Sequence, residues 1–201
     1  MVADASIKFE NCTVEGKPLS ALNLTDAEGK NVTIEMVVTE KPESNALLSD
    51  SASNVTIDGG NLTTTDGKGL RGIYITKGGE YNVNNVVVKN VTYAINVNTT
   101  ADVTLNVADS TLEGWTSFGE STTATFTKVK FECGKYANFK PYSSVVLTDC
   151  SFEAGFMIDF TALNGVITFK NCTYNGQPLT EQSFINGTVK IDGDFTGKIA
   201  F

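Results

Sequence analysis

Residues 166–180, VITFKNCTYNGQPLT, are echoed near the start of the chain by residues 6–20, SIKFENCTVEGKPLS. Taking the Asn of each copy as an anchor, weaker versions recur between them. Anchors fall at Asn11, Met36, Gly59, Asn90, Asp109, Lys128, Asp149, Asn171 and Gly193. The spacing is mostly ~19–25 residues, with one longer interval after Gly59, and self-similarity at such a period implies a solenoid. The register sorts residues by polarity. Four before the anchors stand Ile7, Val32, Val55, Val86, Leu105, Ala124, Val145, Ile167 and Val189. Two before them stand Phe9, Ile34, Ile57, Val88, Val107, Phe126, Leu147, Phe169 and Ile191, and all of these are apolar. Intervening positions such as Lys8, Thr33, Asn106, Thr125 and Lys190 are polar or β-branched, the alternation of a strand with one buried face. A second inward position, three after the anchor, reads Val14, Leu62, Tyr93, Leu112, Phe131, Phe152 and Tyr174.

Repeats that stack in register once per turn form a coil of parallel strands ~4.8 Å apart. The runs VTIDGGNL, VVVKNVTY, VVLTDCSF and ITFKNCTY resemble the repeats of right-handed parallel β-helix proteins, the pectate-lyase-like superfold. The expected fold is all-β, a right-handed parallel β-helix of about nine coils in one domain, residues 1–201. A β-sandwich also has many short strands, but it would not impose one inward register on every repeat. The resemblance implies little about activity, since this fold hosts lyases, hydrolases, adhesins and phage spikes. A coil begins at once at Ile7, so the chain reads as a piece of a longer or processed protein. Phe195, Ile199 and Phe201 are candidates to cover the C-terminal end.

Composition narrows the partners. The net charge of −8 opposes nucleic acid, whose phosphates need clustered Lys and Arg. No apolar run approaches the roughly 18 residues of a spanning helix, and MVADAS has neither the basic start nor the apolar core of a signal peptide. Cys12, Cys150 and Cys172 each follow an anchor, where Val37, Val91 and Val129 stand elsewhere, so they read as small core residues. All four cysteines are expected to be reduced. The Asn-x-Ser/Thr sequons read as turn and ladder chemistry of an Asn- and Thr-rich repeat.

Three sets of residues carry candidate chemistry. The absence of histidine removes a Ser–His–Asp triad, and the Asp-Asp, Gly-His-Gly and Arg-Ile-Lys motifs of β-helix polygalacturonases are missing. The only arginine, Arg71, lies in a Gly-rich insertion with Asp66 and Lys68, which reads as a catalytic lip of lyase type or as a solvated loop. Glu10, Glu35 and Asp58 precede successive anchors and point outward; they form either a calcium-bridged column or an acidic strip that keeps the protein soluble. Trp115, Phe118, Tyr136 and Tyr142 follow the second turn with Phe139, Phe156 and Phe160. They are either core or a ladder for stacking sugar rings, with Glu113, Lys135 and Lys140 placed to hydrogen-bond hydroxyls.

These readings lead to a non-catalytic module, extracellular or at the cell surface, for adhesion or contact with a glycan or host surface ligand. The Asn-Cys-Thr repeats ending in Gly-x-Pro-Leu resemble those of bacterial surface β-helix proteins, and that resemblance implies this class. A calcium-dependent polysaccharide lyase and a passive spacer are the alternatives. No resident cofactor is expected beyond calcium, and the protein is expected to be a monomer. The net charge favours a neutral glycan near Trp115, Tyr136 and Tyr142.

Overall fold

The computed structural model describes residues 6–10, 13–14, 17–18, 23–24, 32–37, 46–50, 55–59, 61–63 and 69–201, with side chains for Ile57, Gly59 and residues 71–201. Cys12 and the loop residues Asp66 and Lys68 lie outside the described residues. The chain is a parallel β-solenoid with three sheets. Sheet I is nine-stranded and contains Ser6–Glu10, Val32–Val37, Val55–Asp58, Gly79–Asn84, Val103–Ala108, Thr122–Thr127, Val145–Thr148, Ile167–Lys170 and Ile199–Ala200, in that order. Sheet II is seven-stranded and runs from Asn61–Thr63 to Gln177–Pro178. Sheet III is eight-stranded and runs from Asn23–Leu24 to Lys190–Asp192. Turns described throughout number about 5, fewer than the nine counted from the sequence, because sheet I includes strands of turns described only in part.

The inward columns form as the alternation demands. Val83, Val107, Phe126, Leu147 and Phe169 pair in sequence across sheet I and are at most 2% exposed. Beside them run Tyr81, Leu105, Ala124, Val145 and Ile167, and in sheet II Val88, Leu112, Phe131, Phe152 and Tyr174, all buried. Phe131 and Phe152 stack face to face, with centroids 4.5 Å apart at 6°. A slip of one residue in any strand would send its apolar set to solvent.

Three of the sequence anchors are corrected. The residue that turns the chain from sheet I to sheet II adopts the left-handed conformation at Gly59, Asn85, Asp109, Lys128, Asp149 and Asn171. Asn85, not Asn90, is therefore the anchor after Gly59. Counting from Asn85 gives Tyr81 and Val83 for sheet I and Val88 for sheet II, in place of Val86, Val88 and Tyr93. Asn90 is also left-handed, but it turns the chain from sheet II to sheet III. At the start, Val32 and Ile34 pair with Val55 and Ile57, as the Met36 and Gly59 anchors require. Ile7, however, pairs with Ile34 and Phe9 with Met36, so the first strand is offset by two residues and Met36 lies within a strand, not at a corner. At the end, Gly193 follows the sheet III strand Lys190–Asp192, and the sheet I partner of Ile167 is Ile199. Asn and Asp tolerate the left-handed region better than other residues with side chains, which is why the corner repeats them.

Among the described residues, the one after the corner is small and buried: Val86, Ser110, Val129, Cys150 and Cys172. The Ser110 hydroxyl donates to the Ala108 carbonyl at 2.7 Å, and the thiols of Cys150 and Cys172 do the same to Thr148 and Lys170 at 3.4 and 3.5 Å. Cys133, Cys150 and Cys172 are all free. Bonding to Cys172, with burial, pushes the Cys150 thiol far above its usual pKa. At the C-terminal end the short helix Glu181–Ile185 inserts Phe184 beside Phe160, Phe169, Phe195 and Phe201.

Leu147→Ala is expected to destabilise the protein by about 2–5 kcal/mol in urea unfolding, because the cavity opens between Phe126 and Phe169 in a fixed column. In native protein Cys133, which is exposed, should react with a thiol reagent, whereas Cys150 and Cys172 should react only on denaturation, without prior reduction. A mass lower by two hydrogens in unreduced protein would show a disulfide instead.

Candidate functional site

The outer face of sheet III carries a row of aromatic side chains. Arg71 stands opposite Tyr93, and Tyr93 opposite Trp115, on neighbouring strands. The Tyr93 and Trp115 rings meet edge to face at 5.1 Å and 86°, and Trp115 meets Tyr136 in the same way at 6.2 Å and 89°. Tyr93, Trp115 and Tyr136 are each half-buried, so every ring packs on its neighbours and still meets solvent.

Local backbone geometry turns these rings outward. Between Tyr93 and Ile95 the pairing with Trp115 and Thr116 shifts by a residue, a bulge at Ala94. Ala94 and Ile95 are both buried, so the extra residue leaves Tyr93 outside while Ile95 and Val97 stay inside. The preceding strand shares the pattern, with Gly72 and Ile73 buried in succession between Arg71 and Tyr74. At the corner before Trp115, Gly114 has φ +122°, and a Cβ there would lie 2.9 Å from the Val91 carbonyl oxygen. Only glycine makes that corner without strain.

Cations bracket the row. The Arg71 guanidinium lies 4.4 Å from the centre of the Tyr74 ring and 5.9 Å from that of Tyr93, within cation–π range. Its Nε–H donates to Asn96 Oδ1 at 2.9 Å, which fixes the plane of the fork. At the other end the Lys135 ammonium lies 5.2 Å from the Tyr136 ring centre. Next to the row, at the corner from sheet III to sheet I, an open groove of about 460 Å³ is lined by Asn96, Asn98, Ser117, Glu120 and Tyr142 among others. A second hollow, of about 320 Å³, shares Glu120 and Tyr142. Asn98 Nδ2 donates to the Tyr74 hydroxyl at 2.8 Å, tying the groove to the row.

The residues singled out from the sequence fall in different places. Trp115 and Tyr136 come together on the row. Tyr142 lines the groove instead. Phe118 is 2% exposed and packs on Phe126 and Phe139, so it belongs to the core and offers no surface. Phe139, Phe156 and Phe160 are core as well. Lys140 is held by Asp159 at 3.0 Å and also donates to the Thr161 hydroxyl at 3.2 Å. Backbone pairing sets Glu35 beside Lys8 and Glu10 beside Val37, so Glu10 and Glu35 are not cross-strand partners. Asp58 stands opposite Asn84, and the side chains of Glu10, Glu35 and Asp58 lie outside the described residues. Among the described residues no three His, Cys, Asp or Glu side chains gather as metal ligands.

Arg71, Tyr74 and Tyr93 were missed as members of this face. The signal for Tyr93 was present, since counting from Asn85 removes it from the inward column. For Tyr74 it was the alternation with Ile73 and Ile75, whereas the same alternation would send Arg71 inward, and only the successive burial of Gly72 and Ile73 turns it out.

Burial alone would push the Asp159 carboxyl up. Hydrogen bonds from Thr161 and the Lys140 ammonium outweigh it and hold the group below its ordinary value. Hydrogen bonding to Asp159 in turn holds Lys140 above its ordinary value, so the pair is intact across the neutral range. A depressed carboxylate contributes stability above its unfolded pKa and loses it as pH falls through the folded one. Stability in urea should therefore fall below about pH 4, the usual aspartate value. Asp159→Asn should flatten that acid limb; an unchanged limb would place the titrating group elsewhere.

Set against known proteins, the chain matches no family model, no curated protein and no solved structure.

Proposed function

We propose that the protein is a non-catalytic β-solenoid module that contacts glycans through the outer face of sheet III. The observation that carries this reading is the run of half-buried rings Tyr93, Trp115 and Tyr136 across consecutive turns. Packing edge to face holds the rings in place before a ligand arrives, so little conformational freedom is lost on binding. Sugar rings present apolar C–H faces to such aromatics and hydroxyls to their surroundings. The adjoining groove supplies amide, hydroxyl and carboxylate partners in Asn96, Asn98, Ser117, Glu120 and Tyr142. A parallel solenoid repeats the contact along its axis, as an adhesive surface requires. The resemblance of the Asn-Cys-Thr repeats to bacterial cell-surface proteins of adhesin type supports an extracellular setting for that role.

The test is a glycan array probed with wild type and Trp115→Ala, alongside an assay for unsaturated product on pectate with calcium. Trp115→Ala should lower binding by at least about tenfold, the order expected when a central aromatic anchor is lost. Its far-UV circular dichroism should stay that of the wild type, because Trp115 lies on the surface side of its strand. Unsaturated product would replace the non-catalytic reading with a lyase. Full binding by Trp115→Ala would remove the aromatic row from the contact.

A further inference from the structure

We infer that the glycan this face takes is acidic, with a carboxylate or sulfate group held by the fork of Arg71 at one end of the aromatic row. The inference rests on the glycan reading above and specifies its substrate class. The other lysines near the sheet faces are largely committed. Lys89 and Lys130 each lie 2.6 Å from Glu132, and Lys140 is taken by Asp159. Arg71 differs. Among the described residues it has no carboxylate partner; its Nε–H is used by Asn96, and its flat face rests on Tyr74. Among the described residues the two terminal nitrogens thus stand as an oriented pair of donors, the geometry that binds a carboxylate or sulfate through two parallel hydrogen bonds.

Position agrees with chemistry. Arg71 lies on the same row as Tyr93 and Trp115, one strand along, so an anion on its fork adjoins a sugar ring stacked on those aromatics. Lys135, also without a carboxylate partner among the described residues, stands beside Tyr136. The two cations are about three strand spacings apart, ~14 Å, so a charged group at each end would span a short run of sugars.

The net charge of −8 does not forbid this. Exposed charges are screened beyond a Debye length of about 8 Å at physiological ionic strength, whereas the fork acts at hydrogen-bond distance. The acidic excess then sets the selectivity, because a uniformly charged polymer is repelled along its length while a ligand with sparse anions is repelled little.

The test uses an array of polygalacturonate, hyaluronan and chondroitin hexasaccharides, each beside its carboxyl-reduced counterpart, together with sulfated chondroitin. Wild type, Arg71→Gln, Arg71→Lys and Trp115→Ala are compared, each checked by circular dichroism and thermal melting. Wild type should prefer an acidic form over its reduced counterpart by about tenfold, the order of one bidentate charge-assisted contact. Arg71→Gln should bring each acidic form down to the level of its own reduced counterpart, and Arg71→Lys should restore only part of the preference. The carboxylated and sulfated arms separate the two sources of the anion. Equal binding of acidic and reduced forms, or a preference that survives Arg71→Gln, would overturn the inference while the aromatic row stands. Loss of the Arg71 effect together with indifference to Trp115→Ala, or no binding by wild type at all, would overturn both.

Discussion

One hydrogen bond, repeated at each turn, fixes the rest of this molecule. From Gly59 to Asp149, the amide of each corner residue between sheets I and II donates to the carbonyl just before the next corner. Gly59 reaches Asn84 at 2.9 Å, Asn85 reaches Ala108 at 3.2 Å, and Asp109 reaches Thr127 at 3.0 Å. Lys128 reaches Thr148 and Asp149 reaches Lys170, each at 2.9 Å. The bond sits where the chain turns, so it aligns two sheets at once: strand positions before the corner fall into the sheet I columns and those after it into sheet II. The left-handed conformation at that residue is what allows so sharp a change of direction. Asn, Asp and Gly meet the demand cheaply, and Lys128 does so at a cost of roughly 1–2 kcal/mol relative to an unstrained residue. The buried phenylalanine columns offset that strain many times over.

The architecture was legible in the sequence because it depends on alternation, which survives even in weak repeats. Leu105, Ala124, Val145 and Ile167 share a column although they have little in common beyond apolarity. What could not be read was which of two similar corners a given Asn makes. VVVKNVTY at Asn90 looks like ITFKNCTY at Asn171, yet one turns from sheet II to sheet III and the other from sheet I to sheet II. Both corners ask for a left-handed residue between alternating strands, so local pattern is blind to the difference. Only the stitching to neighbouring turns, Asn85 to Ala108, resolves it. That slip also hid part of the candidate site, since it placed Tyr93 among the inward residues. Phe118 was misjudged for the opposite reason: strand alternation across Trp115–Phe118 sends Trp115 and Ser117 outward and Thr116 and Phe118 inward, and distance along the sequence from Trp115 says nothing of this.

The three outer faces differ in how their groups are used. On sheet I, Asn106 donates to Asn82 and Thr125 to Asn106, a ladder that satisfies its own members. On sheet II, Glu132 gathers Lys89 and Lys130. On sheet III, rings and the Arg71 guanidinium pack on one another, and among the described residues Arg71 has no carboxylate partner. A face that has consumed its own polar groups has little left for a ligand, and this contrast is why sheet III is the one assigned to recognition. The bulge at Ala94 and the glycine at 114 are the local departures from regular geometry that create it.

Scalar couplings transmitted through hydrogen bonds, measured in a long-range HNCO experiment on deuterated protein, test the register most directly. This register requires correlations from the Asn85 amide to the Ala108 carbonyl, from Asp109 to Thr127, from Lys128 to Thr148 and from Asp149 to Lys170. A correlation from the Asn90 amide to the Ala108 carbonyl, with none from Asn85, would contradict it and return Tyr93 to the core.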